Sequence, residues 1–202
     1  MDASGFSTSR FVRWYDHKYG GEGRERVWLK AHLMVGVKTN VVTSVEITPG
    51  IANDSPYLPQ LVKATASRFT VKEVSADKGY LGHDNLAAVV DVGAVPYVPF
   101  KSNTTGEGPE LWRKLYHYFM FNRDDFLAHY HKRSNVETAF AMIKGKFGDA
   151  VRSKTETAQV NELLCKVLCH NLCVLVGAIY ELGIEPTFWA ESPPAQEVRL
   201  AG

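Results

Sequence analysis

Between Trp28 and Val98 the chain switches repeatedly between an apolar period of two and one close to that of a helix, and this alternation limits the folds open to it. Trp28 to Val37 alternates as a strand, Val41 to Thr48 is rich in β-branched residues, and Lys38-Thr39-Asn40 between them reads as a turn, so the three form a hairpin. Asp54-Ser55-Pro56 starts a helix in which Leu58, Leu61 and Val62 recur at helical spacing to about Ser67. Val71 to Ala76 is a short strand ending in Asp77-Lys78-Gly79-Tyr80. A second helix from Asp84 to Val92 stops at Gly93 and hands over to a strand from Ala94 to Val98. Strands separated by helices pair in parallel through right-handed crossovers, whereas a hairpin is antiparallel. The expected fold is therefore α/β with a mixed sheet flanked by helices. The strand with Pro96 and Pro99 belongs at an edge, because proline supplies no ladder donor.

Residues 101–118 read as a loop or small insertion that opens with Ser, Asn, Thr and Gly, and the chain beyond is helical to 182, with a tail over 183–202. The last long helix, from about Thr157 to Leu182, is apolar on nearly every side and is expected to be mostly buried. Its Cys165, Cys169 and Cys173 share a stripe. Successive turns separate them by about 6 Å, too far to close a zinc site with bonds of about 2.3 Å, so they are expected to be small core residues. A chain of 202 residues, 45% apolar, supports one core, and one domain over 1–182 is expected. Three cysteines, no charged-then-apolar leader and no uninterrupted apolar run of about 18 residues argue against secretion and a membrane span, and favour the cytoplasm. The net charge of +1 names no partner, yet residues 112–154 hold nine Lys/Arg against four Asp/Glu. DNA, if bound, should meet that stretch.

Two groups of residues could carry chemistry. Asp77 ends a strand before a Lys-Gly turn, at the sheet edge where open α/β sheets bind ligands, although an Asp before Gly also serves turns. Tyr130, Arg133, Glu137 and Lys144 stand at offsets that place them within roughly 60° of one another on a continuous helix. Val136, Phe140, Ile143 and Phe147 form a separate apolar stripe, leaving the polar one available. Two other readings stay open: an exposed Arg133–Glu137 pair four residues apart, and a capping box from Ser134 to Glu137, which would put Tyr130 and Arg133 outside the helix.

Tyr130-His131-Lys132-Arg133-Ser134-Asn135-Val136-Glu137 followed by Lys144 resembles the Y-x2-R-x3-E-x6-K signature of insertion-sequence DDE transposases. Ala76-Asp77-Lys78-Gly79-Tyr80 resembles the segment around that family's second catalytic aspartate, and Met1-Asp2-Ala3-Ser4-Gly5-Phe6 the segment around the first. The hairpin, the Asn53-Asp54-Ser55-Pro56 turn and His170-Asn171-Leu172 are also similar. The resemblance implies an RNase H-like domain in which Asp2, Asp77 and Glu137 are catalytic and hold two Mg2+ or Mn2+ ions. The ions would promote hydrolysis and strand transfer at DNA phosphates, on transposon ends and target. It further implies that Tyr130, Lys132, Arg133 and Lys144 meet DNA, that the three carboxylates titrate together with raised proton affinity without metal, and that the protein assembles on DNA as a homodimer.

In that family the first aspartate lies on a central strand with apolar residues leading into it. Only Met1 precedes Asp2 here, so this strand is expected to be missing or replaced and the amino-terminal DNA-recognition region absent. A truncated gene remnant, a start placed too late, or a second reading frame joined to an upstream one would each account for that. The competing functions are an RNase H-like nuclease outside transposition and a catalytically silent DNA-binding or subunit-interaction fragment.

Overall fold

The computed structural model describes residues 1–8, 28–183 and 185; the tail beyond lies outside the described residues. Strands β1 (Asp2–Ser7), β2 (Trp28–Val35) and β3 (Val42–Pro49) form an antiparallel sheet in that order, while β4 (Glu73–Ser75) pairs in parallel with β5 (Val95–Tyr97). Helices α1 (Leu58–Ala66) and α2 (His83–Asp91) alternate with the later strands. They are followed by α3 (Glu110–Phe121), α4 (Arg123–Tyr130), α5 (Ser134–Phe147) and α6 (Glu156–Leu182). The α/β arrangement, the hairpin and the parallel pair follow the sequence pattern, but the expected single mixed sheet is divided into an antiparallel and a parallel one. Within the expected loop, however, α3 begins at Glu110, and its Leu115 and Phe119 are core residues in a run rich in aromatics.

The strand carrying Asp2, expected to be missing or replaced, is present. All six residues of β1 pair with β2, from Asp2 opposite Leu33 to Ser7 opposite Trp28. That ladder supplies the backbone partners and the buried Phe6 anchors the strand, so no apolar lead-in is needed. The other edge of β1 is held at its two ends. The Met1 nitrogen donates to the Ser75 carbonyl of β4 at 2.6 Å, and Ser7 exchanges backbone bonds with Asp149 and Val151. β1 therefore joins the two sheets at a corner.

The period of two in the strands divides two cores. Phe6, Leu29, Ala31 and Leu33 face α5 and α6, where Val136, Ile143 and Leu163 are buried against them. Met34 faces the opposite way, into a larger core with Leu58 and Val62 of α1, Val74 of β4 and Leu86 of α2. Gly148, at φ +82°, ends α5 in a backbone conformation that side chains disfavour.

α6 corrects a second expectation. Leu163, Lys166, Val167 and His170 are its buried residues, whereas Leu164, Leu168, Leu172, Val176 and Tyr180 are exposed, as are Cys165 and Cys169. An apolar helix is buried only as far as neighbours reach it, and here one face alone meets β3 and α5. By length and composition this helix could cross a membrane, with 22% of its most apolar window buried. Its docked face is nevertheless polar at several points. Lys166 donates to the carbonyls of Gly148 and Ala150, His170 Nε2 donates to Asn40 O at 2.9 Å, and the Asn171 amide both donates to and accepts from the backbone of Val42, completing the edge of β3.

Glu162 fastens the loop before α6, accepting from the backbone nitrogens of Arg152 and Ser153 at 2.8 to 3.0 Å. Burial opposes its charge, but these bonds and Lys166 outweigh burial and hold the carboxyl below its usual range. A depressed carboxyl stabilises fully above its unfolded value near 4.5 and loses that contribution as pH falls through the folded one. Glu162→Gln is expected to lower unfolding free energy by about 1 kcal/mol at pH 7. Urea titrations should show the difference closing toward pH 3.

Candidate active site

The chain brings acidic residues from three segments to one end of the sheets. Asp2 opens β1. Asp77 follows β4 and its Oδ1 accepts from the Lys78 nitrogen at 2.8 Å, so it also does the work of the turn. Both line a cleft of about 320 Å³, together with Asn53, Asp54, Ser55 and Tyr80. Asp54 was read from sequence only as a helix start; the residues around it formed part of the family likeness, but nothing in their spacing marked a carboxylate facing the other two.

Glu137, on the first turn of α5, is exposed and reaches the site through Arg133. The Arg133 guanidinium donates to Asp2 Oδ2 and to Glu137 Oε1, each at 2.7 Å. Burial works against the Arg133 charge, but Asp2, Tyr130, Glu137 and Asp77 raise its pKa. For Asp2 the balance is reversed: burial raises its pKa, against the lowering by the Ala3 nitrogen and Arg133, while Asp77 adds to the rise. The expected increase in proton affinity is thus present at Asp2, with burial the main cause and the neighbouring carboxylate a lesser one.

The single helical stripe does not form as expected. Tyr130 ends α4, His131–Arg133 make one tighter turn, and α5 starts at Ser134. No side chain caps α5, so the capping box is absent and Glu137 takes Arg133 instead. Backbone dihedrals stay in the right-handed helical region from Tyr130 through Ser134, which keeps the Arg133 guanidinium 5.9 Å from the centre of the Tyr130 ring. Lys144, near the other end of α5, donates to Ser4 Oγ at 2.7 Å and lies 5.0 Å from the centre of the Phe6 ring; burial lowers its pKa. Arg133 and Lys144 thus both lean on β1, whose residues 2, 4 and 6 share a face. Lys132 points elsewhere, to Glu73 at 3.0 Å beside His129.

Oxygen donors of this kind suit a hard divalent cation. Among the described residues, no three His, Cys, Asp or Glu side chains stand close enough to share one ion. Asp2 and Glu137 are instead joined through Arg133, which pairs with both.

Fold and site together define an α/β domain with acidic side chains gathered where adjoining strands end and cations on the facing helix. Residues 1–172 match the family model for the transposase DDE domain, and the chain belongs to that family. No solved structure matches it. Membership carries a transposase-type function, DNA as substrate and the use of divalent metals general to the family.

Arg133 is the electrostatic keystone of the metal-free site, which gives a direct expectation. Arg133→Gln should destabilise the protein by about 1 to 3 kcal/mol at pH 7 in the presence of a chelator, because a half-buried Asp2 loses its counter-charge. The folded Asp2 carboxyl lies above its unfolded value, so its ionisation costs stability as pH rises through that range. Denaturant midpoints of parent and variant should therefore converge in acid and separate toward neutrality.

Proposed function

We propose that this chain catalyses metal-dependent cleavage and joining of DNA strands during transposition of an insertion sequence, with Asp2, Asp77 and Glu137 as catalytic metal ligands. The observation that carries this reading is the convergence of the three: Asp2 and Asp77 share one cleft, and Arg133 ties Asp2 to Glu137. The RNase H-like form of the domain is part of the proposal, supported by a mixed strand set whose β1 and β4 deliver carboxylates at adjoining ends.

Two Mg2+ or Mn2+ ions held there would activate the attacking water or 3′-hydroxyl and stabilise the leaving oxygen. The residues of the chain supply the rest. As cations take over the carboxylates, Arg133 exchanges them for a DNA phosphate, a swap of one anionic partner for another that leaves no charge uncompensated. Tyr130 stays beside that guanidinium as a phosphate or sugar contact. Lys144 extends the positive surface along α5, and Lys132, paired with Glu73 here, would have to leave that carboxylate to meet DNA. A nuclease outside transposition would need the carboxylates alone, and a silent fragment would need neither them nor the cations.

Glu137→Gln tests the assignment with little structural risk, since an exposed ion pair contributes only about 0 to 1 kcal/mol. Mn2+-dependent nicking of supercoiled plasmid should fall by at least about 100-fold with the melting temperature nearly unchanged. Parent-like nicking in this variant would remove Glu137 from the site. A parent chain that folds but neither binds Mn2+ nor nicks would support the silent-fragment reading instead.

The homodimer is proposed to use the exposed face of α6. Leu168 is 59% exposed, Leu172 51% and Tyr180 85%, on a ridge of residues four apart that is symmetric about Leu172. Leu164, Val176 and Leu182 are exposed as well, so an apolar surface runs along much of the helix. A second copy supplies the same ridge in return. Leu172→Glu is expected to convert a dimer to a monomer in sedimentation equilibrium; a parent chain that is monomeric at high micromolar concentration would reject this interface.

A further inference from the structure

Asp54 lies in the turn between β3 and α1, outside the trio of carboxylates assigned above, yet it lines the same cleft as Asp2 and Asp77. Lys30 of β2 holds it, donating to Asp54 Oδ1 at 2.8 Å and to the Ala52 carbonyl at 2.7 Å. Among the described residues, the buried side-chain polar atoms without a hydrogen-bond partner include His32 Nδ1 and the Tyr80 hydroxyl. Both are next to this cleft. His32 is fully buried, its Nε2 paired with Thr48 Oγ1 at 2.9 Å, and its Nδ1 stops 3.9 Å from Asp54 Oδ1. Tyr80 is 2% exposed and lines the cleft itself, and burial and then the fields of Asp54, Asp2 and Asp77 keep its hydroxyl protonated.

A buried polar group left unpaired costs about 1 to 3 kcal/mol, and such groups are few in a native protein. Two of them beside one carboxylate call for a purpose. The Asp54 carboxylate, held by Lys30, stands 3.9 Å from His32 Nδ1 and shares the cleft lining with Tyr80.

We propose that Asp54 is a third carboxylate of this cleft, one that accepts a hydrogen bond from the water bound between Asp2 and Asp77 and aims it at the DNA phosphate, with Lys30, His32 and Tyr80 holding it in place. The inference rests on the strand-cleavage reading above. In the hydrolytic step the water oxygen forms the new bond to phosphorus and the 3′-oxygen departs with its electron pair. The proton shed by the water passes along the hydrogen bond to Asp54 and on to solvent. Positioned proton acceptors of this kind contribute about 10²- to 10⁴-fold.

The competing role is a staple, in which Lys30 and Asp54 merely pin the turn to β2. Four variants of the full chain, Asp54→Asn, Asp54→Glu, Lys30→Met and Asp77→Asn, separate the two. They are compared by plasmid nicking in Mn2+, Mn2+ calorimetry and thermal melting. Asp54→Asn is expected to lower kcat at least about 30-fold with KM for DNA unchanged, and Asp54→Glu to recover part of it. Mn2+ affinity should stay within about three-fold of the parent and the melting temperature within about 2 °C. Parent-like kcat in Asp54→Asn overturns the inference. So does loss of Mn2+ binding, which would make Asp54 a direct ligand, or a drop in melting temperature that Lys30→Met reproduces with the same loss of kcat. If Asp77→Asn is inactive while Asp54→Asn cuts at the parent rate, this inference alone fails. If the parent does not nick, the strand-cleavage reading fails and this inference with it.

Discussion

A single guanidinium sets the electrostatics at the acidic end of this domain. Arg133 joins the first residue of β1 to the first turn of α5 through two bonds of 2.7 Å, and in doing so brings together carboxylates 135 positions apart in the chain. Those bonds offset one carboxylate on β1 and one on α5, while Val136, Phe140 and Ile143 pack the helix onto the sheet. The same contact explains why helix α5 begins where it does. The tight turn at His131–Arg133 delivers the guanidinium to β1, and Glu137, which could have capped the helix, is drawn to Arg133 instead.

The position of β1 depends on this arrangement and enables it. It pairs fully with β2 and meets β4 through the bond from Met1 to Ser75, so the two sheets meet at a corner. That corner is where backbone ends and side chains begin to face one another across a gap, and the cleft with Asp2, Asp54 and Asp77 opens there. Further along the strand, Ser4 and Phe6 receive Lys144, and Ser7 is tied to the segment that leads into α6. One six-residue strand thus meets both cation-bearing ends of α5 and both sheets. The second core, behind β2, takes in Met1 itself and fixes α1 and with it the turn that carries Asp54.

Much of this was legible in the residues. The hairpin, α1, α2 and the parallel pair follow from periodicity and from Gly and Pro, because each is decided by interactions between near neighbours. Asp77 and the segment from Tyr130 to Lys144 stood out by type and spacing. The errors share one cause. β1 was expected to be missing or replaced because only Met1 precedes Asp2, but Asp2 to Ser7 pair with β2 and Phe6 is buried. α6 looked like a core helix, but a helix with apolar residues all round is buried only on the faces that partners reach, and periodicity says nothing of how many partners there are. His170 and Asn171 carried a family likeness whose basis is structural: they complete the β2–β3 turn and the edge of β3.

The sequence by itself determined which segments become strands and helices, since these depend on local torsional preference and on the spacing of apolar side chains. It also determined the chemistry on offer, oxygen ligands and cations of a kind suited to divalent metal and phosphate. Only the tertiary structure decided which of these groups meet. That Arg133 chooses Asp2 and Glu137, that Lys132 is spent on Glu73, and that Asp54 faces Asp2 and Asp77 are outcomes of distance between residues far apart in the chain. Electrostatic interactions depend on that distance and on burial, and neither is set by any stretch of sequence until the two cores have closed on β2.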